Sequence, residues 1–95
     1  MPSGAEGDLA LLQAAADPVR WAVLDALAGG QMCVCDLQLR VPIPGNLLSY
    51  HLKVLRDAAL VTSTRRGRWI DYTLADDALG RLRSALPGSR RVVGV

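Results

Sequence analysis

Apolar residues recur along this 95-residue chain at helical spacing in five places and at strand spacing in two. Leu9, Leu12 and Ala16 share a face, and Ala14 and Ala15 favour helix, so a first helix is expected over Asp8–Ala16. Asp17-Pro18 is a restart signal, with Asp as N-cap and Pro at the first helical position. Val19, Val23, Leu24 and Leu27 then mark the buried face of a second helix, which Gly29-Gly30 ends. Cys33–Arg40 reads as a short third helix with Leu37 inward. Val41 and Ile43 each precede a proline, which turns both away from helix. Pro44 opens a fourth helix whose inward stripe is Leu48, Leu52, Leu55 and Ala59.

Beyond Ala59 the residue preference changes. Leu60–Thr64 and Trp69–Leu74 are β-prone runs, joined by a hairpin tip at Arg65-Arg66-Gly67-Arg68 where Gly supplies positive φ. Asp76 is the expected cap of a last helix carrying Leu79, Leu82 and Leu86, ended by Pro87-Gly88. Residues 1–7 and about 88–95 are expected to be mobile tails of a single domain spanning 1–95. The order is α-α-α-α-β-β-α, mainly helical with one hairpin (α+β). Two short helices joined by a tight turn and followed by a basic hairpin describe a winged helix-turn-helix.

Composition changes this picture little until it is mapped. The net charge is only +2, yet residues 1–39 hold Arg20 against Glu6, Asp8, Asp17, Asp25 and Asp36. Residues 40–70 hold Arg40, Lys53, Arg56, Arg65, Arg66 and Arg68 against Asp57 alone. A positive centre in a near-neutral chain is the footprint of a polyanion-binding surface. With Leu48, Leu52 and Leu55 inward, the fourth helix presents Asn46, Ser49, Tyr50 and Lys53 on its other face. Asn reads adenine bidentately, Ser bonds base or phosphate, and Lys suits phosphate or guanine. The wing offers Arg65, Arg66 and Arg68 to phosphates or a narrow minor groove of double-stranded operator DNA. His51, between the two faces, is expected to be a hydrogen-bonded structural residue.

No signal peptide is read at the N-terminus, and no apolar run approaches the roughly 18 residues that span a bilayer. A cytoplasmic protein with no membrane partner is expected, and there thiols stay reduced. Cys33 and Cys35 then read as a ligand or redox pair. Thiolate selects soft ions such as As(III), Sb(III), Cu(I) and Zn, and a helix N-terminus favours the thiolate form. Residues i and i+2 point to nearly opposite sides of a helix. One ion gripped by both sulfurs should therefore unwind the start of the third helix, which is expected to pack against the fourth. The Leu9/Leu12 and Leu79/Leu82/Leu86 stripes exceed what so small a domain needs inside, which predicts a homodimer joined through the two terminal helices. No nucleophile–base pair and no phosphate-binding glycine loop is present, so the chain is not expected to be an enzyme and needs no organic cofactor.

The stretch NLLSYHLKVLRDAAL from Asn46 to Leu60, the segment TRRGRWIDYTL and MCVCDL at 32–37 resemble the ArsR/SmtB family of metal-responsive repressors, over about residues 8–86. The last segment resembles the metal-box motif of its arsenic-sensing branch. The resemblance implies a dimer formed by the first and last helices and an operator that is emptied when metal binds. It implies As(III) or Sb(III) as inducer on Cys33 and Cys35. Gln38 stands where that branch often has a third cysteine. Relatives that bind zinc or nickel through the last helix use histidine there, and here that helix has Asp76 and Asp77 but no His. The turn Val41-Pro42-Ile43-Pro44-Gly45 lacks a capping oxygen, which leaves the Gly45 and Asn46 amides for a DNA phosphate. Sensing of Cd, Pb or Zn, a redox or sulfur signal at the same thiols, and a DNA-binding module without inducer stay open.

Overall fold

Asp17 starts the second helix as its place before Pro18 suggests. In extended backbone, its Oδ1 accepts from the Val19 amide at 2.8 Å and the Arg20 amide at 3.1 Å. These bonds, the Arg20 amide's foremost, hold the Asp17 carboxyl below its ordinary pKa.

The computed structural model describes residues 4–88. The elements are α1 (Gly4–Ala15), α2 (Pro18–Leu27), β1 (Met32–Cys33), α3 (Val34–Arg40), α4 (Gly45–Asp57), β2 (Val61–Arg66), β3 (Trp69–Leu74) and α5 (Ala78–Ala85). The expected helices and hairpin are all present. The structure adds the two-residue strand β1, which pairs antiparallel with β3 to give a sheet of order β1-β3-β2. Cys33 is therefore the last residue of β1 and the N-cap of α3, not part of the helix. Two residues are too few to show a period, and their partner lies far along the chain. Gly4–Gly7 belong to α1, so the tail expected at 1–7 is shorter, and Gly88 sits in a turn at φ 78°. The remainder of both expected tails, residues 1–3 and 89–95, lies outside the described residues.

Leu48, Leu52 and Leu55 of α4 are fully buried together with Leu37, Leu60, Val23 and Val61, and one hydrophobic cluster joins them. Ala59 is not part of that stripe. It is exposed, in left-handed backbone at φ 58°, one residue past the cap of α4. Its amide bonds Arg56 O at 2.9 Å, and the Leu60 amide bonds Leu55 O at 3.0 Å. This is the paired closure of a Schellman motif, completed by burial of Leu60, and it spends a non-glycine residue where glycine is usual. Arg81 of α5 covers the same end, donating to Ala59 O at 2.7 Å and Ala58 O at 2.9 Å.

The hairpin turn contains two residues, Gly67 and Arg68, with Gly67 at φ 63° as the tight turn demands. Arg65 and Arg66 are strand residues paired with Ile70 and Trp69, so the tip is shorter than the sequence suggests. α5 begins at Ala78 after Asp77, and Asp76 lies in the preceding turn instead of capping it. α1 and α5 pack on each other within the chain, so part of the apolar surface assigned to a partner is already covered. Inward positions on α5 are Ala78, Leu82 and Ala85, while Leu79 and Leu86 are exposed; on α1 Leu9 is exposed and Leu12 half-buried. Helix α4 with the turn before it, α3 and the β2–β3 hairpin form a winged helix-turn-helix.

Candidate nucleic-acid interface and thiol site

Burial of Leu48, Leu52 and Leu55 turns the opposite face of α4 to solvent. Asn46, Ser49, Tyr50 and Lys53 all lie on it exposed, with Leu47 beside them. The charge there is not all free. Lys53 Nζ stands 2.7 Å from Asp57 Oδ2, one helical turn on, and holds that carboxyl below its ordinary pKa. Both partners are exposed, so the pair is weak and can be exchanged for a phosphate. Helix α4 begins after Pro44, which has no side-chain capping bond, and Gly45 and Asn46 are its first two residues.

The half-buried His51 anchors this helix from behind. Its Nδ1 lies 2.9 Å from Arg20 Nη1 and 3.9 Å from Asp17 Oδ1. Arg20 also donates from Nε to Ala14 O at 2.6 Å and from Nη2 to Gln13 O at 3.4 Å. One guanidinium thus ties the last turn of α1, its own helix α2, and α4. Sequence reading found His51 structural but missed Arg20, whose partners lie in two other elements.

On the wing, Arg68 is exposed in the turn and Arg65 Nε reaches Gly67 O at 3.3 Å. Arg66 is committed elsewhere. Its Nε and Nη2 grip Asp71 Oδ2 and Oδ1 at 2.8 and 3.3 Å, and Gln31 Nε2 donates to the same Oδ2 at 3.1 Å. Asp71 is 4% exposed, and the Arg66 bonds hold its carboxyl below its ordinary pKa. Asp71 and Gln31 were not singled out in the sequence. An Asp within a β-prone run was the available signal, because strands disfavour it unless it is paired.

Cys33 and Cys35 are free thiols at the β1–α3 junction, the first half-buried and the second exposed. Cys33 has extended backbone at φ −76° and ψ 161°, and its Sγ accepts the Asp36 amide at 3.4 Å as the helix cap. Contrary to the expectation that the helix start favours thiolate, the Cys35 thiol is pushed up. Desolvation is the largest cause, followed by the charge and hydrogen bond of Cys33. Because Cys33 lies outside the helix, the expectation that two residues of one helix point to opposite sides does not apply to the pair. Helix α3 packs chiefly on α2, β1 and β3, and its Leu37 shares one buried cluster with Leu48, Leu52 and Leu55 of α4. The turn adds a further link, where Gln38 Nε2 donates to Ile43 O at 3.0 Å. Among the described residues no group of three or more His, Cys, Asp or Glu side chains is placed to hold a metal, Asp76 and Asp77 included. No helix among them is long and apolar enough to cross a membrane.

The family described as "Bacterial regulatory protein, arsR family" matches residues 17–63, from the Asp17 cap into β2. The HTH-type transcriptional repressor SmtB of Mycobacterium tuberculosis is 43% identical over 72 residues, covering 76% of this chain and 53% of that protein. The chain thus spans about half the length of curated relatives that it matches. A solved structure titled "Possible transcriptional regulator for arsenical resistance" superposes with a TM-score of 0.75 at 32% identity, covering 87% of this chain and 92% of the other. The homodimeric winged helix-turn-helix DNA-binding domain of a possible ArsR-family regulator from Mycobacterium bovis superposes at 0.73 with 25% identity, covering 83% and 73%.

Proposed function

The chain belongs to the arsR family of bacterial regulatory proteins, and on that premise we propose that it is a cytosolic, homodimeric transcriptional repressor whose inducer is As(III) or Sb(III) held by Cys33 and Cys35. The α4 face of Asn46, Ser49, Tyr50 and Lys53 enters the major groove of a duplex operator. Arg65 and Arg68 of the wing meet phosphates, and Arg66 holds the wing in shape. The Gly45 and Asn46 amides, at an uncapped helix start, donate to a further phosphate. A second copy covers the exposed Leu9, Leu79 and Leu86 and the half-buried Leu12 on the terminal helices α1 and α5, while Leu82 packs against the core of its own chain. A twofold dimer then matches a palindromic operator. Similar proteins named as transcriptional repressors, one structure titled for arsenical resistance and one homodimeric neighbour support this reading.

The observation that carries the inducer assignment is the convergence of two thiols where a strand ends and a helix begins. A soft, thiol-seeking centre fits two sulfurs with no third protein ligand. Each thiol displaces one hydroxide of arsenous acid, one water leaves per bond, and no oxidation state changes.

The experiment is titration of the protein on a duplex selected from a random library, with As(III), Cd(II), Zn(II) and peroxide, reading DNA release. Release by As(III) alone, or far below the Cd(II) and Zn(II) concentrations, is expected. Release by peroxide alone would establish the redox alternative, and release by none a plain DNA-binding module.

A further inference from the structure

Asp71 is a buried carboxylate that neither the DNA-facing surfaces nor the thiol pair uses. Its register explains what it can do. Cys33 of β1 and Thr64 of β2 are its direct partners across the two antiparallel ladders. Directly opposed residues present their side chains on one face of a sheet, and so do residues two apart along a strand. Cys33, Asp71, Thr64 and Arg66 therefore share one face. Across it a row runs from the thiol strand, through the central carboxylate, to a guanidinium beside the tip of the wing. Gln31, just ahead of β1, fixes the same carboxylate by a second route at 3.1 Å. Every polar bond given for Asp71 thus leads either to the thiol segment or to the wing.

Cys33 cannot move without disturbing this row. It ends β1, and β1 has only two residues to hold it against β3. We propose that Asp71 is a positioning residue which carries occupation of the Cys33–Cys35 pair to the wing by resetting Arg66. The inference rests on the thiol pair being the inducer site. When both sulfurs are drawn to one centre, the Cys33 end of β1 shifts. The Gln31 and Cys33 sides of Asp71 shift with it, and the bidentate grip on Arg66 changes the angle of the hairpin. The route runs through the sheet and does not need α3 to unwind.

Trp69 is built to report this. It is the direct partner of Arg66 across the hairpin and is 47% exposed. The chain has one other tryptophan, Trp21, so Trp21→Phe leaves a single wing fluorophore. In that background, with no DNA present, arsenite is added and two signals are followed: near-ultraviolet absorption of the sulfur–arsenic bonds, and Trp69 emission. Both should change together. Asp71→Asn and, separately, the exposed-site variant Arg66→Gln should keep the absorption change and lose most of the emission change. Both variants are checked for unchanged far-ultraviolet circular dichroism, and Arg66→Gln serves where Asp71→Asn does not fold. On the selected duplex, the arsenite-induced loss of affinity should fall from the range of about 5- to 150-fold typical of coupled sites to less than about 3-fold. Absorption without an emission change in the parent, or an emission change that survives both variants, overturns the role of Asp71 and leaves the inducer site standing. Absence of any thiol-dependent absorption overturns the inducer site and this inference with it.

Discussion

His51 Nδ1 lies 2.9 Å from Arg20 Nη1, and through that guanidinium α4 is joined to the end of α1. Arginine has only donors, so Nδ1 is the acceptor in this contact. The same guanidinium satisfies Ala14 O and Gln13 O, which the end of α1 leaves open.

Arg20→Ala should therefore lower stability by about 1–3 kcal/mol, the cost of leaving half-buried acceptors without a charged donor. The check is urea denaturation, with a lower midpoint at unchanged slope. Since Asp17 still caps α2, the loss should exceed that of a surface substitution such as Arg83→Ala.

Arg68 and Arg66 should behave differently on DNA although both lie near the wing tip. Arg68 is exposed and has no ion pair among the described residues, so Arg68→Ala should reduce the log–log salt slope by about 0.9 for one lost phosphate contact. Arg66 is bound to Asp71, so Arg66→Gln should change the slope less. Binding to random-sequence duplex over a salt series measures both, and equal slopes would show Arg66 on phosphate as well.

Acid should remove the contribution of the Asp71–Arg66 pair. Arg66 lowers the folded pKa of Asp71, so the stability it contributes is present above the unfolded value of about 3.9 and is lost as pH falls through the lower folded value. The difference in urea midpoint between the wild type and Asp71→Asn should be constant through neutral pH and shrink below about pH 4.

Ala59→Gly should stabilise the protein by about 0.5–1 kcal/mol, because the left-handed backbone at φ 58° strains any residue with a Cβ. The flexibility gained by the unfolded chain subtracts from this gain. Destabilisation on thermal or urea unfolding would mean that the Arg81 clamp on Ala58 and Ala59 already absorbs the strain.

Cys33→Ser with Cys35→Ser should leave affinity for the selected duplex within about 3-fold and abolish release by arsenite, since serine caps a helix but is a poor ligand for a soft ion. Each single variant should lose most of the response. Gln38→Cys adds a sulfur one turn beyond Cys35 but gives up the bond to Ile43 O, so tighter arsenite binding should come with lower stability.

What could be read from the sequence had a period or a local partner. Asp17-Pro18, the Leu48/Leu52/Leu55 stripe and the two β-prone runs each carry their signal within a few residues. Ala59 matched the stripe by spacing alone, but a helix end in left-handed backbone has no mark when glycine is absent. β1 and the place of Cys33 outside α3 depend on pairing with Tyr72 and Asp71, which no local pattern contains. The exposed face of α4 was legible because burial of one face dictates the other. The commitments of Arg66 and Arg20 were not, because each is decided by acceptors in other elements.

The sheet ends on both sides in open edges: β1 offers only two residues, and β2 carries Thr62, Ser63, Thr64, Arg65 and Arg66 after its buried first residue. An uncovered strand is a template for another chain, and charge is one way to repel it. By that principle the arginines that would meet a polyanion also oppose stacking of the wings of free molecules. A wing neutralised at Arg65, Arg66 and Arg68 should be tested by light scattering first, since it loses its guard against self-assembly along with its grip on phosphate.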